Sequence, residues 1–154
     1  MRRRAASVAS PDAHLGQVLD FMRLIWAVDH ALQKTSKRMK TTIGVTGPQR
    51  LVIRIVARFP GISAGQIARL LHVHPSTLTG ILKRLERQGL IRRREDRKDR
   101  RRAVLWITTK GKRINVAAAG TVEAAVKRAL SRMSRAKLDS AREVLLDLAA
   151  SLGG

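Results

Sequence analysis

The chain has no cysteine and no tyrosine, four other aromatic residues, only 11 acidic side chains, and no apolar run near the ~20 residues needed to span a bilayer. Each shortage excludes something. Without cysteine there are no disulfides, no thiolate metal sites and no thiol-based redox sensing, and a reducing cytoplasm is the expected setting. Phe21, Phe59, Trp26 and Trp106 are too few and too scattered to build a stacking platform for unpaired bases, which favours a duplex over a single strand as partner. The opening Met1-Arg2-Arg3-Arg4 is not followed by a hydrophobic secretory core, so a soluble, unexported protein with no membrane partner is expected. Residues 1–12 read as a flexible basic arm, with an Arg-rich transit peptide as the lesser alternative.

Catalytic patterns are missing as well. The chain shows no convergent acid/base or nucleophile arrangement, and the glycines from Gly44 to Gly47 lack the Lys-Ser/Thr of a phosphate-binding loop. The expectation is a protein that is not an enzyme and needs no cofactor. His14, His30, His72 and His74 have no cysteine partner and no i, i+4 pairing; His72-Val73-His74 could be a metal pair, but a turn, cap or phosphate role fits it better.

What is abundant is positive charge. Lys and Arg number 32, giving a formal net charge of +21 on 154 residues, a surface attractive to polyanions, nucleic acid first and anionic membrane second. The length suits one domain, here residues 13–154.

Hydrophobic spacing divides that domain. Leu15, Val18, Leu19, Met22, Ile25, Trp26 and Leu32 predict an amphipathic helix to about Lys40. Pro48 opens a second helix with Leu51, Val52, Ile55, Val56 and Phe59 on its apolar face. Ser63 with Gln66 is a capping box, Ile62 and Ile67 a hydrophobic staple, and a short helix burying Ile67, Leu70 and Leu71 follows. After a tight link Pro75 starts another helix, to Gln88, buried through Leu78, Ile81, Leu82 and Leu85. Two short helices in this arrangement are a helix-turn-helix, and the β-formers of 90–108, returning through a charged turn, make the hairpin behind it a wing. One long helix is predicted from about Thr109 through Ile114, Ala118, Val122, Ala125, Ala129 and Met133, and a last one after Ser134 carries Leu138, Ala141, Leu145, Leu148 and Leu152. The fold class is mainly α with a small β-wing: a winged helix-turn-helix lobe at 45–108 and a helical dimerisation region at 13–43 plus 109–152.

At 100° per residue, Ser76, Gly80, Lys83 and Arg87 lie opposite the buried stripe of the 75–88 helix, flanked by Thr79 and Arg84, with Glu86 to the side. Such a face suits a major groove, with Ser76, Thr77, Thr79 and Lys83 on base edges and Arg84 and Arg87 on phosphates; a merely solvated face is the plain alternative. Eight of the eleven residues from Arg92 to Arg102 are basic, a density suited to a narrow minor groove, with Asp96 and Asp99 holding neighbouring arginines in place. The apolar stripes of the first helix and the last two exceed what a small winged lobe covers, which points to a homodimer, or alternatively to packing within the chain.

The segments Val45-Thr46-Gly47-Pro48-Gln49, Pro60-Gly61-Ile62-Ser63 with Gln66-Ile67-Ala68, Pro75 to Thr79, Arg84 to Ile91, and Asp96 through Thr108 into Thr109-Lys110-Gly111 resemble the MarR family of bacterial regulators over about residues 15–152. The resemblance implies a homodimer reading a palindromic operator in double-stranded DNA, acting as a repressor released by a small aromatic or anionic effector. It places the reading helix at Pro75–Gln88 and wing contacts at Arg97, Lys98, Arg100 and Arg101, and brings Trp26, His30, Arg50 and Arg54 into consideration as effector ligands. The chain lacks the cysteine of the family's peroxide-sensing branch and the His/acid spacing of its zinc-sensing branch. A sequence-indifferent architectural DNA-binding protein remains the alternative, because the charge and the arm would suffice for it.

Overall fold

Local signals in the sequence decide where each element starts. Thr46 and Gln49 cap one another reciprocally, Thr46 Oγ1 accepting from Gln49 N at 3.4 Å and Gln49 Oε1 accepting from Thr46 N at 2.9 Å, and Pro48 stands in the first turn of the helix they open. The computed structural model describes residues 15–99 and 102–153, so the expected arm at 1–12 and the wing residues Arg100 and Arg101 lie outside the described residues. Among the described residues the order is α1 (Gln17–Ile43), α2 (Gly47–Arg58), β1 (Ile62–Ser63), α3 (Ala64–Leu71), α4 (Pro75–Arg87), β2 (Ile91–Glu95), β3 (Ala103–Ile107), α5 (Thr109–Ile114), α6 (Val122–Leu130) and α7 (Arg135–Leu152).

The expected hairpin is present, with Ile91 opposite Ile107, Arg93 opposite Leu105 and Glu95 opposite Ala103. It also gains a strand. β1 pairs antiparallel with β3, Ile62 opposite Leu105, giving the order β1-β3-β2. Two residues carry no readable period, and Ser63 already serves as the N-cap of α3, which is why the strand is invisible in the sequence.

The core lies within the winged lobe, where Val52, Ile53 and Val56 of α2, Ile67 of α3, Leu78, Leu82 and Leu85 of α4, and Leu105 of β3 are almost fully buried. Three expected core residues are half exposed: Leu51 and Phe59 at 49% and Leu70 at 52%. The buried stripe of α2 runs through Gln49, Val52, Ile53 and Val56, an i, i+3, i+4, i+7 set that turns Leu51 away, and Phe59 lies beyond the last helical residue.

The long helix expected from Thr109 is instead two. α5 stops at Ile114, and the carbonyls of Ile114 and Val116, which a continuing helix would use, accept instead from the guanidinium of Arg50. Gly120 then takes φ +75°, a conformation that breaks a helix, and Thr121 caps α6 by accepting from Ala124 N at 3.3 Å. The last helix starts after Ser134, as its cap predicts.

Outside the lobe little is covered. Met39 is the buried residue of α1, and α6 and α7 have none. Val18, Leu19, Met22 and Trp26 of α1 and Leu145 and Leu152 of α7 stand exposed.

Candidate nucleic-acid interface

The helix-turn-helix is fastened at both ends of its turn. Ser63 and Gln66 form the predicted capping box at the start of α3, and His72 ends that helix with φ +51°. His74 caps α4: its Nδ1 accepts from Ser76 N at 3.3 Å, and the Ser76 hydroxyl lies 2.7 Å from the same nitrogen. The His-Val-His segment thus has the turn-and-cap role. Among the described residues no group of three or more His, Asp and Glu side chains could hold a metal ion.

With Leu78, Leu82 and Leu85 buried, α4 presents Ser76, Thr77, Thr79, Lys83, Arg84 and Arg87 to solvent, the six side chains expected there. Thr79 Oγ1 donates to Pro75 O at 2.9 Å, leaving its lone pairs outward as acceptors. A Cβ added at Gly80 would meet nothing within 4 Å, so another molecule can approach the helix backbone closely at that point. Glu86, the acid of this helix, is engaged: Arg93 of β2 donates to its Oε1 through Nε at 3.0 Å and Nη2 at 2.9 Å. That pair neutralises the carboxylate and ties β2 to α4.

At the wing tip, Asp96 Oδ1 accepts from Lys98 N at 2.8 Å, and the turn closes through Asp96 N to Arg102 O and Arg102 N to Asp99 O, each at 2.9 Å. Asp96 therefore shapes the turn by holding backbone, where the sequence suggested that it would hold arginine side chains. Arg97 and Lys98 are exposed at the tip. Arg92 and Arg94, also exposed, extend this basic surface along β2 on the face opposite Arg93. Strand alternation was the signal that could have separated them from their neighbour.

The four residues considered as effector ligands do not converge. Trp26, 78% exposed, and His30 stand on the open surface of α1. Arg50 is 1% exposed and committed to the protein: Nε bonds Glu123, Nη1 bonds Ile114 O and Nη2 bonds Val116 O at 2.7 Å. It is withdrawn as a ligand-binding residue, because those donors bolt α2 to the α5–α6 connector. Arg54 fits better. It donates to Asn115 O at 3.2 Å, lies 3.8 Å from Glu123, and lines a cavity of about 460 Å³ with Arg58, Phe59 and Asn115. Burial raises the pKa of Glu123, but the hydrogen bond from Arg50, one from its own backbone, and the charges of Arg50 and Arg54 together outweigh it and hold the carboxyl below its ordinary value.

Known proteins share this arrangement. The MarR family matches residues 43–102. The transcriptional regulator HosA of Escherichia coli O157:H7 is 32% identical over 102 residues, 66% of this chain and 76% of HosA. The HTH-type transcriptional regulator TtmR of Methylorubrum extorquens is 34% identical over 88 residues, 57% of this chain but 45% of TtmR, so the chain spans under half of that relative's length. The crystal structure of the transcriptional regulator SlyA superposes with a TM-score of 0.71 at 27% identity, covering 87% of this chain and 94% of that one.

Proposed function

The chain belongs to the MarR family of transcriptional regulators, and on that premise we propose that it binds double-stranded DNA sequence-specifically as a homodimer, represses from a palindromic operator, and is released by a small effector. The observation that carries this reading is the outer face of α4, where six hydrogen-bonding or cationic side chains are exposed together and the nearby acid is neutralised by Arg93. Ser76, Thr77, Thr79 and Lys83 read base edges in the major groove, Arg84 and Arg87 hold phosphates, and the arginines of the wing enter the adjacent minor groove. Residues 45–108 form the reading lobe. Residues 13–43 and 109–152 form the dimer, which covers the exposed apolar faces of α1, α6 and α7 and presents two reading helices to two half-sites.

For the effector, the cavity beside Arg54 has a volume within the range of small-molecule sites, and its two arginines and Phe59 suit an aromatic acid. A screen of aromatic acids that leaves the melting temperature unmoved counts against it.

Selection from a random duplex library near 0.15 M salt tests the central claim, since that salt suppresses sequence-independent attraction to a chain of +21. An enriched inverted repeat with half-sites about one helical turn apart is expected. Salt-labile retention without a consensus would instead support the architectural reading that the net charge favours.

A further inference from the structure

The turn that leaves the reading helix is a junction of three elements. Gln88 caps the end of α4, and its Nε2 donates to the carbonyl of Gly44, the residue that closes α1, at 3.3 Å. The same carbonyl accepts from Lys40 Nζ at 3.1 Å, a bond internal to the end of α1. The main chain of the turn is seated on α5: Lys110 Nζ donates to Gln88 O at 2.8 Å and the Thr108 hydroxyl to Gly89 O at 2.6 Å. Gly111 packs so closely beneath it that a Cβ there would stand 2.1 Å from Leu90 O.

The second atom of the Gln88 amide is informative. Oε1 is buried without a partner among the described residues. A desolvated acceptor lowers stability, and an apolar side chain of similar length would fill the place without that cost. The amide serves packing poorly; its return is one directional bond between the reading helix and the first helix.

We propose that Gln88 is a positioning residue for DNA reading: by fixing the exit of α4 against the end of α1, it sets the separation of the two reading helices in the dimer and hence the half-site spacing the dimer accepts. The inference rests on the dimeric, operator-reading function proposed above. One base pair inserted between half-sites moves one of them by about 3.4 Å and rotates it by about 35°, so tolerance of altered spacing measures how firmly α4 is held to α1.

The full chain, as wild type, Gln88→Met and Lys40→Met, is offered a random duplex library and then the enriched repeat with one base pair added or removed at its centre. Wild type should enrich one inverted repeat at one spacing and bind the altered repeats more weakly. Gln88→Met should enrich the same half-site with the same salt slope and melt no lower, while its penalty for altered spacing falls about two- to tenfold, the worth of one amide hydrogen bond. Lys40→Met loses a bond to the same carbonyl without freeing α4 and should keep the wild-type penalty. Gln88→Glu, which keeps the shape but cannot donate, supplies the same comparison if the methionine variant does not fold. A folded Gln88 variant with the wild-type penalty overturns the proposal, as does Lys40→Met relaxing the penalty equally. A wild type that enriches no inverted repeat overturns the operator reading and takes this inference with it; in the other two outcomes that reading stands.

Discussion

The winged lobe and the helical arms use the same apolar spacing to different ends. In α4 the stripe of Leu78, Leu82 and Leu85 is at most 1% exposed, sealed by α2, α3 and the sheet. In α1 and α7 comparable stripes stay open, with Trp26 at 78% and Leu145 at 64%. Apart from α1, which begins after Gly16 with no side-chain cap, helix starts do not distinguish the regions, since Thr46, Ser63 and His74 cap the lobe helices and Thr121 and Ser134 cap α6 and α7. A capped amphipathic helix thus announces that one face will be covered but not by what. The contrast argues that the lobe closes on itself and the arms on a second copy.

The largest test of that contrast is a matched pair of truncations. Leu82→Ala should lower unfolding free energy by about 2–5 kcal/mol in urea titrations, the cost of a core cavity. Leu145→Ala should change intrinsic chain stability little, but weaken self-association. Equal losses, independent of protein concentration, would mean that α7 closes within one chain. Next in size is the test of the proposed dimer. Charges placed at Leu19 and Met22, as Leu19→Lys with Met22→Lys, should raise the dissociation constant about a hundredfold, equivalent to about 2.8 kcal/mol. Sedimentation showing the same association state for variant and wild type at micromolar concentration would remove the claim that α1 is a dimer surface.

The same contrast explains what was readable in the sequence. Caps and prolines located α2, α3, α4 and α7, and the stripe of α4 oriented its outer face, because those signals act within a few residues. The break at Asn115–Thr121 was legible only in part: Gly120 and the cap Thr121 are local signals that the continuous apolar spacing overrode, whereas Arg50, which takes the carbonyls of Ile114 and Val116, lies more than sixty residues away. Arg50 was considered as an effector ligand only through the family resemblance, and nothing in the spacing of the three arginines of α2 shows that the tertiary fold buries this one and brings Glu123 to it. Nor could spacing show that Glu86 is neutralised by Arg93, a pairing that depends on how the wing leans on α4.

Within the lobe, the reading helix and the wing should separate by what each loses. Thr79→Ala and Lys83→Ala should each reduce discrimination between operator and random duplex by about 1–3 kcal/mol per lost base contact. Arg97→Ala should weaken binding to all duplexes alike and flatten the salt slope by about 0.9, the signature of a single phosphate. Titrations over a salt series on both DNAs distinguish these, and a uniform loss from Thr79→Ala and Lys83→Ala would show that α4 holds backbone and reads nothing.

The smallest effect belongs to the joint between the two regions. Glu123 has a pKa below its ordinary 4.5 in the folded chain because Arg50 and Arg54 favour its charged form over the opposing cost of burial. A depressed folded pKa means that the ion pair's contribution is fully present above pH 4.5 and is lost as pH falls through the lowered folded value. Wild type and Glu123→Gln should therefore differ in urea midpoint by a constant amount from neutral pH down to about 4.5 and converge in stronger acid. Glu123 is about one-third exposed, so solvent screens the pair and keeps the difference small. A difference that stays the same down to pH 3 would show that the carboxylate's charge contributes nothing, and that Arg50 holds the connector through the carbonyls of Ile114 and Val116 alone.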